Sequence, residues 1–157
     1  KVILICGKIC SGKSTYAEQV RIQKQAALLS VDEITLALFG QYCGDKQDEY
    51  VERTKKYLFD KSLELIEVGI NVVLDWGFWM KKERDYAKEF YEARNIECEF
   101  HYIDISDKTW KARLTKRNSA ILAEETSAYF VDDNLADKFN ALFEMPSKDE
   151  IDVWIKQ

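Results

Sequence analysis

The string Gly7-Lys8-Ile9-Cys10-Ser11-Gly12-Lys13-Ser14 follows directly on the apolar run Val2 to Cys6 and opens into a stretch with helical spacing. No other feature constrains the fold as strongly, because G-x-x-x-x-G-K-[ST] works as an anion cradle only between a buried strand and a helix. The glycines let the backbone turn its amides inward. The helix start adds its positive dipole end, and the absent side chain at Gly12 leaves room for close approach. Lys13 is then expected to reach the β and γ phosphates of a nucleotide, and Ser14 to ligate Mg²⁺. The expected phosphate-binding set is Gly7, Lys8, Ile9, Cys10, Ser11, Gly12, Lys13, Ser14 and Thr15. Cys10 reads equally as an oxidation-sensitive thiol beside Lys13 or as loop filler.

Short apolar runs continue to alternate with helical stretches, the βαβ rhythm of a parallel sheet. Strands are expected over 2–6, 27–30, 71–75, 97–104 and 151–155, and helices over 13–24, 33–39, 48–68, 81–94, 107–117 and 132–143. The long third helix places Val51, Leu58 and Leu65 on one stripe flanked by Tyr50, Tyr57 and Ile66, with Gly69 where a C-terminal cap belongs. With 157 residues, 46% of them hydrophobic, the chain supports one sizeable core and no second full domain, so 1–157 is expected to form a single domain. Residues 106–130 are long enough for a mobile lid.

A net charge of -5 is the opposite of what a phosphate-neutralising surface needs, which disfavours nucleic acid as a partner. No apolar run approaches the ~18 residues that span a bilayer, so a cytoplasmic location is expected and no membrane partner. Cys6, Cys10, Cys43 and Cys98 form no CxxC pair, and with His101 the single histidine, neither a Cys/His metal site nor a disulfide framework is expected. His101 itself alternates with Glu97 and Glu99 on the polar side of its strand, as a surface or partly buried residue.

Ligands of open parallel sheets bind beyond the carboxyl ends of the strands, where Asp32 and Asp75 stand. Asp32 is either the N-cap of the helix it precedes or the base that takes the proton of an attacking acceptor hydroxyl. Asp75, at the end of a buried strand, is expected to hold an Mg²⁺ water or the acceptor, with a structural turn as the alternative.

With these residues in place, the chain resembles the P-loop kinase-like ATP-binding proteins related to the 5' kinase domain of polynucleotide kinases, zeta toxins and chloramphenicol phosphotransferases. The resemblance rests on Gly7 to Thr15, on Ser30-Val31-Asp32-Glu33, on Val73-Leu74-Asp75-Trp76-Gly77-Phe78-Trp79 with Glu83-Arg84, on Arg113 through Lys116-Arg117-Asn118, and on Phe143-Glu144-Met145-Pro146-Ser147. It implies an α/β P-loop NTPase fold with five parallel strands in the order 2-3-1-4-5, an acceptor base at Asp32, and lid arginines closing on the triphosphate. One position departs. Polynucleotide kinases carry an arginine three residues after the base, and this chain has Thr35.

Arg113 and Arg117, four residues apart on one helix, share a face and are expected to converge on one anion, unless they and Lys108, Lys111 and Lys116 form an ordinary solvated face. Trp110 and Leu114 on the same helix read as core. Trp76, Phe78 and Trp79 beyond Asp75 divide evenly between core packing and a pocket wall. The expected acceptor pocket is Asp32, Asp75, Trp76, Trp79 and Arg84, with Tyr42 and Arg53 weaker members. The reading is a kinase that moves the γ phosphate of ATP, with Mg²⁺, to a hydroxyl of a small-molecule acceptor. Its alternatives are a polynucleotide 5'-hydroxyl kinase and an ATP-gated binding module without an acceptor.

Overall fold

A computed structural model describes residues 1–42, 44–126 and 128–157, so the expectations for Cys43 and for Ser127 in the polar stretch lie outside the described residues. The order is β1 (Val2–Cys6), α1 (Lys13–Lys24), β2 (Ala26–Ser30), α2 (Val31–Phe39), α3 (Gln47–Glu67), β3 (Asn71–Gly77), α4 (Lys81–Glu92), β4 (Cys98–Asp104), α5 (Asp107–Leu122), α6 (Asp133–Leu142) and β5 (Val153–Lys156). The strands pair in parallel as β2-β3-β1-β4-β5, the expected order.

Every residue of β1 is buried, as a central strand covered on both faces must be. Alternation divides the core in two. Val2, Leu4 and Cys6 join Val72, Leu74, Phe100 and Tyr102 beneath Phe59 of α3 and Tyr91 of α4. Ile3 and Ile5 join Val73 and Ile103 beneath Ala17 and Val20 of α1. A smaller third cluster ties α5 and α6 together through Trp110, Leu114, Val131 and Ala136, and Ile9 and Cys10 of the glycine loop pack on it.

Three details correct the sequence reading. On α3 the buried face is Leu58, Phe59 and Ser62, and Tyr57 is exposed, because Phe59 is the ring that reaches the aromatic cluster of β3 and α4. The helix does end as expected: the Gly69 amide donates to Ile66 and the Ile70 amide to Leu65, with Gly69 at φ +84°. Second, α5 runs on to Leu122, since no glycine or proline interrupts it at Arg117. Third, His101 is 5% exposed; its Nδ1 pairs with the Tyr16 hydroxyl at 2.9 Å and its Nε2 lies 3.4 Å from Glu99. Burial lowers its pKa, with Glu99 opposing.

Candidate active site

The glycine loop turns its carbonyls outward onto side chains. Lys13 Nζ donates to the Lys8 carbonyl at 2.6 Å, Trp110 Nε1 to Ile9 at 2.7 Å, and Arg113 to Ser11 at 3.0 Å. The Ser11 amide donates to the same Lys8 carbonyl at 3.2 Å, and the amides that open the first turn of α1 have no intrahelical partner. The glycines are required where they stand. A Cβ on Gly7 meets the Ile103 carbonyl and the Ser11 hydroxyl at 3.0 Å, and Gly12, at φ +96°, caps α1 with the Arg113 guanidinium 3.1 Å from where a Cβ would be.

The parallel register aligns the carboxyl ends of β1, β3 and β2. Asp75 sits opposite Ile5 on one side and Ser30 on the other, and the Gly7 amide donates to the Gly77 carbonyl at 3.0 Å. Asp75 is 5% exposed. Ser30 is the true N-cap of α2, its hydroxyl accepting from the Glu33 amide at 3.3 Å, so Asp32 stands inside the first turn and is free of capping duty. The N-cap reading of Asp32 is thereby corrected. Asp32 is exposed, in the first turn of α2 just past the end of β2. Burial of its surroundings raises its pKa, Lys13 lowers it, Asp75 raises it and Arg117 lowers it. Lys13 has its pKa lowered by burial, against the pull of Asp75 and then Asp32. These three groups form one electrostatic unit. Ser14 and Thr15 are exposed in the first turn of α1.

The two arginines of α5 turn inward while Lys108, Lys111 and Lys116 stay exposed, so the helix splits into a solvated basic face and a buried one. Their guanidinium groups have different partners. Arg113 is held by the Ser11 carbonyl and, at 3.0 Å, by Gln157. Arg117 donates from NH2 to the Tyr129 carbonyl at 2.9 Å, while its Nε is buried without a partner.

The aromatic trio divides. Trp76 packs its ring edge-on to Phe59 at 5.3 Å and against Phe78 at 4.9 Å, on the core side of β3. Trp79 lies over Gly77 and against Phe139 at 4.8 Å, with its buried Nε1 unpartnered. Trp79 is thus turned toward α6 and away from the Phe59 cluster that holds Trp76. Arg84 departs from the acceptor role expected of it. It is 2% exposed and fully engaged internally, with Glu150 at 2.7 Å and the carbonyls of Phe78, Glu144 and Trp79 at 3.1, 3.0 and 3.3 Å. It is a clamp behind the β3 to α4 turn. Tyr42 is 79% exposed, and Arg53 is spent on Glu49 at 3.2 Å on the outer face of α3. Cys10 also reads differently: burial raises its pKa despite Arg117, Lys13 and Arg113, so no thiolate is favoured.

A family model for AAA domains, AAA_33, matches residues 2–146. The chain belongs to the AAA_33 family. The resemblance to P-loop kinase-like proteins is borne out by this match and by solved structures that share the fold. A sugar kinase from Janibacter sp. superposes with a TM-score of 0.66 at 17% identity, over 99% of this AAA_33 chain and 84% of the other. The APS kinase of Mycobacterium tuberculosis in complex with AMPPNP and APS gives 0.67 at 16%, over 99% and 87%. The Pnkp1/Rnl/Hen1 RNA repair complex gives 0.71 at 21%, over 90% of this chain and 43% of the other. No curated protein matches the sequence. No helix among the described residues is long and apolar enough to cross a membrane.

Sequence reasoning missed Tyr129 and Gln41, which join 128–130 to α2 and its end, and Glu150, the partner of Arg84. Asn118 had a signal in the Lys-Arg-Asn string, and its amide grips Val131 through both backbone groups. Tyr129 had none, because nothing local marks a residue whose partner is 94 positions away.

Proposed function

We propose that this AAA_33 protein is a phosphotransferase that moves the γ phosphate of ATP to a hydroxyl of a small-molecule acceptor. The observation that carries the reading is the electrostatic unit of Lys13, Asp75 and Asp32, with Asp32 released from capping by Ser30 and left exposed in the first turn of α2. The amides that open α1 and Lys13 bind the triphosphate, Lys13 leaving the Lys8 carbonyl to do so. Asp32 accepts the acceptor's hydroxyl proton as that oxygen bonds to the γ phosphorus and the bond to the ADP oxygen breaks; a phosphate monoester and ADP result. Arg117, with its unpartnered Nε, stabilises the transferring group, and residues 106–130 act as the lid that brings it there. Arg113 assists from its place on the loop.

The donors fit Mg²⁺. Ser14 would offer an exposed hydroxyl and Asp75 a carboxylate, oxygen donors of the kind a hard divalent cation takes alongside phosphate oxygens. Bound Mg²⁺ supplies charge neutralisation between the β and γ phosphates. In this reading Trp79 walls the acceptor side, supported by its buried, unpartnered Nε1, and Trp76 belongs to the core.

The test is to incubate γ-labelled ATP with fractionated metabolites, nucleosides, antibiotics and 5'-hydroxyl oligonucleotides, using the wild type and Lys13→Ala. Label is expected on a small alcohol with the wild type only. Transfer confined to oligonucleotides, or undiminished by Lys13→Ala, would overturn the reading.

A further inference from the structure

Lys55 has no part in the reaction as drawn above, yet it is a largely buried cation on α3. Helices α2 and α3 pack together, and Phe39 at the end of the first stacks on Tyr50 near the start of the second at 4.4 Å. From that crossing the two helices run back side by side, so Asp32, ~10 Å along α2, and Lys55, ~8 Å along α3, stand at similar heights. Lys55 shares its face of α3 with Phe59, one turn on, whose ring meets Trp76, the residue after Asp75, edge-on at 5.3 Å. At its tip Lys55 Nζ donates to Glu83 in the first turn of α4 at 2.7 Å and to Glu52 at 2.9 Å, with only 18% and 20% of the Lys55 and Glu83 side chains exposed. Glu83 is itself held, its other oxygen accepting from the Met80 amide at 3.2 Å. The ammonium is thereby pinned between α3 and the start of α4, the helix that follows β3.

The charged groups that act on Asp32 come from four other elements: Lys13 of α1, Asp75 of β3, Arg117 of α5 and Lys55 of α3. Glu33, beside it on α2, is exposed. In the phosphotransferase reading, on which this inference rests, Lys13 and Arg117 turn to the phosphates and Asp75 to Mg²⁺. Lys55 stays with Glu83 and Glu52. Burial works to lower the Lys55 pKa, but the hydrogen bonds to Glu83 and Glu52 outweigh it and raise the value, so the ammonium is charged wherever a carboxylate titrates. We infer that Lys55 is a positioning residue for the base: pinned by Glu83 and Glu52, it is the cation that keeps Asp32 ionised once the nucleotide has engaged Lys13 and Arg117. Without it, the phosphate charge arriving beside Asp32 favours the protonated acid, which cannot take the acceptor's proton.

The ionisation of Asp32 can be read without an acceptor, from the carboxyl carbon shifts of protein labelled with ¹³C at aspartate, with Asp32→Asn supplying the assignment. Titrations are run on the protein alone and with Mg²⁺ and a nonhydrolysable ATP analogue. Lys55→Met keeps the apolar stem and removes the charge; it is expected to raise the Asp32 midpoint by roughly half a pH unit or more, a threefold change in ionisation, and by more with the analogue bound. Lys55→Arg is expected to restore the wild-type midpoint. The double variant Lys55→Met with Glu83→Gln leaves no unpaired charge at Glu83 and should keep the rise, which separates the effect of the cation from any loosening of α4. An Asp32 midpoint unmoved by Lys55→Met would overturn the inference, as would a rise that Lys55→Arg shares or one that the double variant abolishes. An analogue that raises no melting temperature refutes the phosphotransferase reading, whereas the titration of the protein alone still decides whether Lys55 acts on Asp32.

Discussion

At Asp32 the surroundings raise the carboxyl pKa, burial being the main cause and Lys13 the main opposing charge. A raised value means that the folded protein holds the proton more tightly than the unfolded chain, so ionisation costs stability as pH climbs through the unfolded value of ~3.9, and the cost is complete above the folded value. Asp32→Asn is accordingly expected to melt higher than the wild type at pH 7, the gap closing below about pH 4. A lower melting temperature at pH 7 would return Asp32 to a structural role. The same shift sets the acid limb of phosphoryl transfer, because the base form is lost as pH falls through the raised value; the limb should lie above the ordinary carboxylate range in a plot of kcat/KM against pH. Arg117 is the second residue at this scale. Arg117→Lys keeps the charge and removes the planar fork, and turnover is expected to drop at least roughly tenfold, or ~1.4 kcal/mol of barrier, with ATP binding nearly unchanged. Arg113→Lys loses less, since its guanidinium is already committed to Ser11 and Gln157. Equal losses in the two variants would show that position on α5, and not the free Nε of Arg117, decides the effect.

Among the elements, the turn from β3 into α4 is held by Arg84, whose guanidinium meets Glu150 and three carbonyls in a buried setting. Arg84→Ala removes the cation that pairs with Glu150 in this buried setting and is expected to cost about 3–5 kcal/mol, read by urea unfolding. Burial works to raise the Glu150 pKa, but the Arg84 hydrogen bond and the Ser147 backbone outweigh it and hold the value at about 2. A depressed carboxylate contributes stability that is complete above its unfolded value of ~4.3 and is lost as pH falls toward the folded one. Wild-type stability should thus decline between about pH 4.3 and 2, and the Arg84→Ala protein should show a shallower decline there. The elements themselves were legible because each has a local cause: the all-apolar β1, the glycines of the loop, the helix-ending Gly69. The strand order came with the family resemblance. Asp32, Asp75 and Lys13 were legible because strand ends gather polar residues at one edge. The role of Arg84 was not, since a surface arginine and a buried clamp look alike until Glu144 and Glu150, more than 50 residues on, are folded against it. Trp76 and Trp79 could not be told apart for a related reason: alternation past a strand end is broken by the positive φ of Gly77 and Phe78, which sends the two rings in different directions.

For the whole molecule, the sheet order β2-β3-β1-β4-β5 puts the glycine loop, Asp75 and the start of α2 at neighbouring strand ends, while the α5–α6 cluster packs on Ile9 and Cys10 of the loop. A ligand that bridges these parts stabilises the native state alone, so a nonhydrolysable ATP analogue with Mg²⁺ at ~100 times its Kd should raise the melting temperature by roughly 5–10 °C. The shift should vanish in Lys13→Ala if the loop is the seat of binding. The most direct measurement of the central claim sets transfer against affinity in Asp32→Asn, with calorimetry of the ATP analogue on one axis and label moved from γ-labelled ATP to a small alcohol on the other. The account predicts affinity within a few fold of the wild type and transfer reduced by roughly a hundredfold or more. Transfer that persists in Asp32→Asn at the wild-type rate would contradict it.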